Sequence, residues 1–485
     1  MSALNGTLAK LRSSALIQSI NKFMVSPWGI AVIGALTLIA FIFSLELVVY
    51  TIFILYAAYV GIFGDDFAPL MPLFLFAYIC PSLQNNPGKS DKGLFYGASG
   101  VYIGVIAAIA VAIVFARLFT DKNMGVRKLF TMKRAFLISM LALGTSYMLS
   151  GIGSEKYLEY VKGNLLFAFI QFMSLFLLYF VFSATINFEK FNIDYFAWFA
   201  VIMGIVVSLE VVWIYIAEDV IVNGSIIRGR IYSGWGCYNN IGALISMSIP
   251  FAFYFACRKK HNFMYLIIGC LLLGGVILSC SRGSIVGGVF AFMVSFGYTF
   301  FKASNKREFR MTTIGIAAIA VIAVALYHKE IIALFNEVPD IAEGDGGSLN
   351  FNDSGRFNLY KAGLKVFLDN PIFGQTFYPA AGSMPEFSDV EAFSSFFPPR
   401  WHNTVVQMLA SCGAVGMLAY SFHRLDTIIY YFKHRTVSNT FIAISILTLL
   451  GMSLLDCHFF NVAPVFFYSM ALTVMEYGRE RPVEN

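Results

Sequence analysis

Residues 194–217 read DYFAWFAVIMGIVVSLEVVWIYIA, and this stretch decides what kind of molecule the chain forms. Its only charged residues are Asp194 and Glu210. As an α-helix it extends about 36 Å at roughly 1.5 Å per residue, more than the about 30 Å of hydrocarbon in a bilayer. Comparable apolar runs occupy 28–44, 47–62, 67–80, 94–116, 135–151, 164–186, 238–256, 263–278, 285–301, 311–327, 403–422, 438–455 and 459–476. They are continuous, not alternating, so they do not fit barrel strands, and only helices or closed barrels satisfy the backbone in lipid. The expectation is an all-α, polytopic transmembrane helical bundle of about 12–14 spans. The run 67–80, FAPLMPLFLFAYIC, is short and holds two prolines, which reads as re-entrant, and the first two runs can form one broken unit.

Composition agrees with this reading. The 485 residues are 58% hydrophobic and 13% charged, with a mean hydropathy of +0.72, values outside the range of a soluble domain. Lys and Arg set the expected orientation, because short basic loops stay on the cytoplasmic side. One set of loops carries 22 of the 34 basic residues and the alternate set 12. Both termini are therefore expected on the cytoplasmic side of the membrane, and the net charge of +6 calls for no nucleic acid. Residues 1–27 read as an amphipathic cytoplasmic leader without a trustworthy cleavage pattern, and 28–217 as an N-terminal bundle. Spans with Arg-bearing external loops follow at 218–327, a large external loop at 328–401, C-terminal spans at 402–476 and a cytoplasmic tail at 477–485.

The seven cysteines show no CxxC pair or metal-ligand spacing and read as buried thiols, although a Cys237–Cys280 bridge is conceivable. In the large loop, SGRFNLYKAGLKVFLDNP reads as an amphipathic helix at the mouth of the bundle, its apolar face formed by Phe357, Tyr360, Leu364, Phe367 and Leu368.

Nucleotide-binding and hydrolase motifs are missing, and no external DxD offers a metal site. Asp65 and Asp66 fall on the cytoplasmic side and Asp345 in a glycine-rich loop, so a metal-dependent site is disfavoured. The external side instead gathers cations: Arg228 and Arg230 before one span, Arg282 in the hinge SCSRGS, Arg356 on the loop helix, and Arg400 with His402 before another span. Arginine binds phosphate through a rigid fork of donors and keeps its charge, so these residues point to an anionic headgroup such as a lipid diphosphate. Each alone has a blander use, lipid snorkelling or capping of helix-end carbonyls. His402 stands at a helix start, where the macrodipole disfavours imidazolium and leaves a proton acceptor, with Asn403 and Gln407 near enough in sequence to orient it or a sugar hydroxyl. Asp456 and His458, in the turn LLDCHFFN, form a rival acid/base pair.

Four segments resemble the bacterial O-antigen ligase and polymerase superfamily of membrane glycosyltransferases. They are RGRIYSGWGCYNNIGALISMSIP, which contains Asn240, then SCSRGSIVGG, SGRFNLYKAGLKVFLDNPIFGQTF and RWHNTVVQMLASCGAVG, together covering about residues 228–420. The family's second glycine after Phe373-Gly374 is replaced by QTF, and an acidic residue common before Gly413 is replaced by Ser411-Cys412. The resemblance implies a C-type glycosyltransferase-like bundle whose donor is an undecaprenyl-diphosphate-linked oligosaccharide in the membrane lipid. It implies a glycan acceptor, either a lipid-linked repeat or lipid-A core, and no cofactor, metal or nucleotide-sugar. On that basis Arg230 and Arg282 are expected to clamp the diphosphate, Arg356 to position the glycan, and His402 to take the acceptor proton with inversion, with Arg228, Arg400, Asn403, Gln407 and Asn240 binding substrate. The long chain favours repeat-unit polymerisation over ligation. A transporter of lipid-linked glycans is the rival class, but its expected intramembrane charges are missing: Glu46 and Glu210 are the main acids near spans, and every Lys and Arg falls in a predicted loop.

Overall fold

A computed structural model describes residues 10–83, 97–120, 132–154, 157–222, 225–259, 261–326, 356–377 and 400–480. Among the described residues, every apolar run of the sequence forms helix. In chain order the helices are α1 (Ala15–Met24), α2 (Pro27–Phe43), α3 (Glu46–Phe63), α4 (Leu70–Ile79), α5 (Gly97–Thr120), α6 (Leu137–Met148), α7 (Tyr157–Thr185) and α8 (Ile193–Ala217). They continue as α9 (Tyr238–Arg258), α10 (Asn262–Leu278), α11 (Arg282–Lys302), α12 (Lys306–Leu326), α13 (Arg356–Asp369), α14 (Thr404–Lys433), α15 (Val437–Met452) and α16 (Val462–Tyr477). Among the described residues the only strands are Ile221–Val222 and Ser225–Ile226, a two-residue antiparallel ladder.

Among the described residues, six helices can each cross a bilayer by length and composition: α3, the Leu165–Thr185 part of α7, α8, α9, α11 and α14. The leader becomes α1, bent by 67° from α2, and this pair counts as a seventh span if taken as one unit. Six further apolar helices have 10–17 residues, among them α4, the short run with two prolines. The chain is an all-α polytopic membrane protein. Its outer surface keeps Leu55, Ile138, Leu271 and Val286 exposed, a liability in water and a suitable face for lipid. The core centres on α9, which is buried from Ile241 to Cys257 and packs against α8, α10, α11 and α15. Phe196 of α8, Phe251 of α9 and Phe467 of α16 interlock there.

Three expectations need correction. The run 403–422 is not one straight helix: α14 breaks at Gly413, whose φ is 64°. The segment after α13 docks into the break. Ala414 N–H donates to Pro371 O (2.8 Å), Val415 N–H to Ile372 O (3.1 Å) and Gln375 N–H to Ala410 O (2.9 Å). Irregular backbone inside a bundle persists only when protein satisfies it, and these bonds do so. A Cβ on Gly413 would lie 2.4 Å from Ile372 O, so both the turn and the docking require glycine.

The buried face of α13 also differs from the expected one. Ala362, Gly363 and Val366 pack on Trp401 and Val406, while Phe357, Leu364 and Leu368 stay exposed. Small residues let α13 approach α14 closely, and that contact outweighs the larger apolar side chains. Finally, the basic residues do not all lie in loops: Arg424 is within α14 and 9% exposed, and Arg117 is buried in α5.

Candidate active site

The hinge SCSRGS is shaped by two local features. Cys280 takes a left-handed backbone (φ 53°), which reverses the chain after α10. Ser281 then caps α11, its Oγ accepting from Ser284 N–H at 3.3 Å, as hydroxyl residues do at helix starts. Arg282, the first residue of α11, is thereby presented on the exposed side. The inner side of the hinge rests on α9 at Gly242, where any Cβ would lie 2.6 Å from that of Ser284.

Ser281 Oγ donates to Asn239 Oδ1 at 2.7 Å, and Asn239 Nδ2 donates to Asp456 Oδ2 at 2.5 Å. A carboxylate accepts only, so it fixes which end of the Asn239 amide faces it and leaves Oδ1 for the serine. The other carboxylate oxygen, Asp456 Oδ1, accepts from Cys457 N–H at 2.6 Å and lies 3.3 Å from His402 Nδ1. That approach is at ion-pair distance but lacks hydrogen-bond alignment, and Nδ1 has no aligned partner among the described residues. The chain His402, Asp456, Asn239, Ser281 thus connects the start of α14 to the arginine-bearing hinge.

His402 is held under strain. Its φ is 49°, a region that non-glycine residues rarely adopt and that often marks functional positions. Tyr360 Oη of α13 donates to the His402 carbonyl at 3.2 Å, and the N–H of Thr404 is tied to Ser453 O at 2.8 Å. The imidazole remains 38% exposed while the Asp456 side chain is 9% exposed. With Nδ1 toward the carboxylate, Nε2 is the end turned to an incoming group.

Burial alone raises the pKa of Asp456, but the contact with His402, the His458 ring and the Cys457 amide outweigh it and hold the carboxyl well below its usual range. Burial pushes the His458 pKa down; Asp456 opposes this, and Arg400 and His402 add to it. His458 is 1% exposed. The expected rival pair thus divides: Asp456 becomes the partner of His402, and His458 is closed off from solvent.

The remaining candidates fall into two groups. Arg400 donates to Asn461 Oδ1, and Asn461 Nδ2 donates to Asn240 Oδ1 at 2.6 Å, a second strand of polar contacts beside the first. Arg228 donates to Tyr238 Oη at 2.6 Å with its guanidinium 4.3 Å from the ring centroid, and its charge reaches Cys280 in the hinge. Arg230 is exposed and donates to Asp219 O at 2.7 Å. Arg356 is the first residue of α13.

Asn403 and Gln407 serve structure. Asn403 caps α14, accepting from Val405 N–H at 2.8 Å and donating to Leu454 O at 2.9 Å. Gln407 is fully buried between Trp401 N–H (3.1 Å) and Ser411 Oγ (2.9 Å). Cys237 and Cys280 are both free thiols, so the conceivable bridge is not formed. Among the described residues no group of acids, histidines and cysteines is arranged to hold a metal ion. Sequence reasoning passed over Asn239, Ser281 and Asn461; the signal for them was polar side chains flanking apolar runs beside residues already noted.

Residues 242–421 match a family model described as O-antigen ligase. The chain carries an O-antigen ligase domain. The match covers 180 of the 485 residues and supports, for that part of the chain, the O-antigen ligase and polymerase superfamily and a glycosyltransferase-type enzyme. No curated protein matches the chain. The domain contains Arg282, Arg356 and His402, whereas Asn239 and Asp456, which tie the hinge to His402, lie outside its limits.

Proposed function

We propose that this protein transfers a glycan from an undecaprenyl-diphosphate carrier to an acceptor sugar hydroxyl, inverting the anomeric carbon and using no metal, in repeat-unit polymerisation. The observation that carries the reading is the imidazole of His402 set against the buried Asp456 carboxylate at 3.3 Å and joined through Asn239 to the arginine hinge. His402 Nε2 takes the acceptor proton, and Asp456 favours the imidazolium that forms. The acceptor oxygen attacks the anomeric carbon as its bond to the diphosphate oxygen breaks. Arg282, with Arg228 and Arg230, stabilises the charge that develops on the departing diphosphate, which remains in the membrane with its lipid. In this reading the end of the bundle bearing His402 faces away from the cytoplasm.

Ligation to a lipid-A core or other surface acceptor is the second reading, favoured by the description of the matched family model. Purified protein supplied with lipid-linked donor alone separates the two: a polymerase makes a ladder, a ligase none. Full activity in His402→Ala or Arg282→Ala would refute the assigned roles. Activity is expected to survive excess EDTA; loss that Mg²⁺ restores would point to a metal mechanism.

A further inference from the structure

The turn Asp456–Asn461 carries three residues of the site, Asp456, His458 and Asn461, and its next side chain, Phe459, points into the bundle. Phe459 is fully buried, and its carbonyl accepts from Gln171 Nε2 of α7 at 2.5 Å. Beneath it lies Arg424 of α14. The guanidinium carbon is 3.9 Å from the Phe459 ring centroid, 4.6 Å from that of Tyr420 and 5.0 Å from that of Tyr468.

The charge is otherwise poorly compensated. Nη1 donates to Tyr468 Oη at 2.8 Å, but Nε and Nη2 have no hydrogen-bond partner among the described residues. The surrounding polar contacts run in one direction. Tyr468 Oη lies 2.8 Å from His423 Nε2, His423 Nδ1 lies 2.9 Å from Ser139 Oγ, and Ser139 donates to Asp426 Oδ2 at 2.6 Å. Arginine can donate only, so Tyr468 donates onward to Nε2, His423 donates from Nδ1, and the chain ends on a carboxylate. This arrangement orients Arg424 under Phe459 without neutralising it. A half-satisfied buried cation is a poor device for stability, and apolar replacements of buried charges are often neutral or stabilising. A cation over an aromatic face is, by contrast, a directional hold.

We propose that Arg424 is a positioning residue for the reaction: its cation–π contact seats Phe459 and so fixes the Asp456 carboxylate against His402. Arg424 touches neither donor nor acceptor and acts only through the turn. The inference rests on the assigned roles of His402 and Asp456.

The test uses the full-length protein in detergent or nanodiscs. Arg424→Met keeps the volume and removes the charge; Phe459→Leu removes the ring; the double variant combines them. The expected result is a fall in kcat of about 10- to 100-fold in each single variant, as misplacement of reacting groups produces. KM for the lipid-linked donor stays unchanged, Tm is equal to or above that of the wild type in Arg424→Met, and the double variant is no slower than the worse single one. Arg424→Lys, which keeps a cation, regains part of kcat. A wild-type kcat in Arg424→Met, a parallel loss of Tm and donor KM, or multiplying losses in the double variant would overturn the proposal. His402→Ala is the control: if it is inactive while Arg424→Met turns over normally, only this inference fails, and if it is fully active, the reading of the site fails first.

Discussion

Asp456→Asn is the substitution that tests the site most directly, because it changes one charge and almost no volume. In the folded protein Asp456 Oδ1 is 3.3 Å from His402 Nδ1. At that separation and an effective dielectric constant of roughly 20, a carboxylate and an imidazolium attract by about 5 kcal/mol. The His402 side chain is 38% exposed, so solvent screening lowers this to about 3 kcal/mol, which corresponds to roughly a 10²-fold loss of kcat. Hydrogen bonding adds a second effect. If the new amide turns its NH₂ toward Asn239, two donors meet and Asn239 must flip, breaking the bond from Ser281. If it turns NH₂ toward Cys457 and His402, Nδ1 must accept and the ring proton moves to Nε2, the end that needs to be free. The second orientation removes the base, whereas the first keeps its tautomer but loses the carboxylate charge and the tie to the hinge. The assay is initial rate on lipid-linked oligosaccharide at saturating donor, with thermal unfolding as a folding control. A correctly folded Asp456→Asn variant with more than about half the wild-type kcat would refute the reasoning.

Three further outcomes are expected. Ser281→Ala removes both the α11 cap and the link to Asn239, and is expected to lower Tm by an amount equivalent to about 1 kcal/mol and slow turnover severalfold; unchanged values in both would separate the hinge from the site. Gly413→Ala meets a positive φ and a Cβ contact of 2.4 Å with Ile372 O, so it is expected to destabilise by about 2 kcal/mol or more, read as lost folded yield or Tm. The pKa of Asp456 is depressed in the folded state, so the stability it contributes is complete above the unfolded carboxyl pKa of about 4 and fades as pH falls toward the lower folded value. The difference in Tm between wild type and Asp456→Asn is therefore expected to stay constant from pH 8 to about pH 5 and to shrink only below about pH 4; a change near neutrality would assign it to a histidine instead.

The helices were legible because the need to bury backbone in lipid leaves long apolar runs, and those around Phe196 or Phe251 could hardly do anything else. The hinge and His402 were legible for the opposite reason, being charged or polar residues at the ends of such runs. Their partnership with Asp456 was not, since α14 and α15 separate them in the chain and no local period encodes that contact. The break at Gly413 was hidden as well: VVQMLASCGAVG reads as unbroken apolar helix until Pro371–Gln375 is seen to supply its hydrogen bonds. The orientation of α13 does not follow hydrophobic size, because Ala362 and Gly363 gain contact by being small. Arg424 lies inside its helix because α14 continues to Lys433, beyond the end of its continuous hydrophobicity.

The left-handed backbone of His402 has a consequence for anyone engineering this protein. Asparagine or glycine would occupy that conformation more comfortably, relieving about 1 kcal/mol of strain, so selection for heat resistance alone would favour replacing His402. Libraries screened by melting temperature are therefore expected to enrich inactive enzymes at this codon, and stabilisation campaigns should hold it fixed.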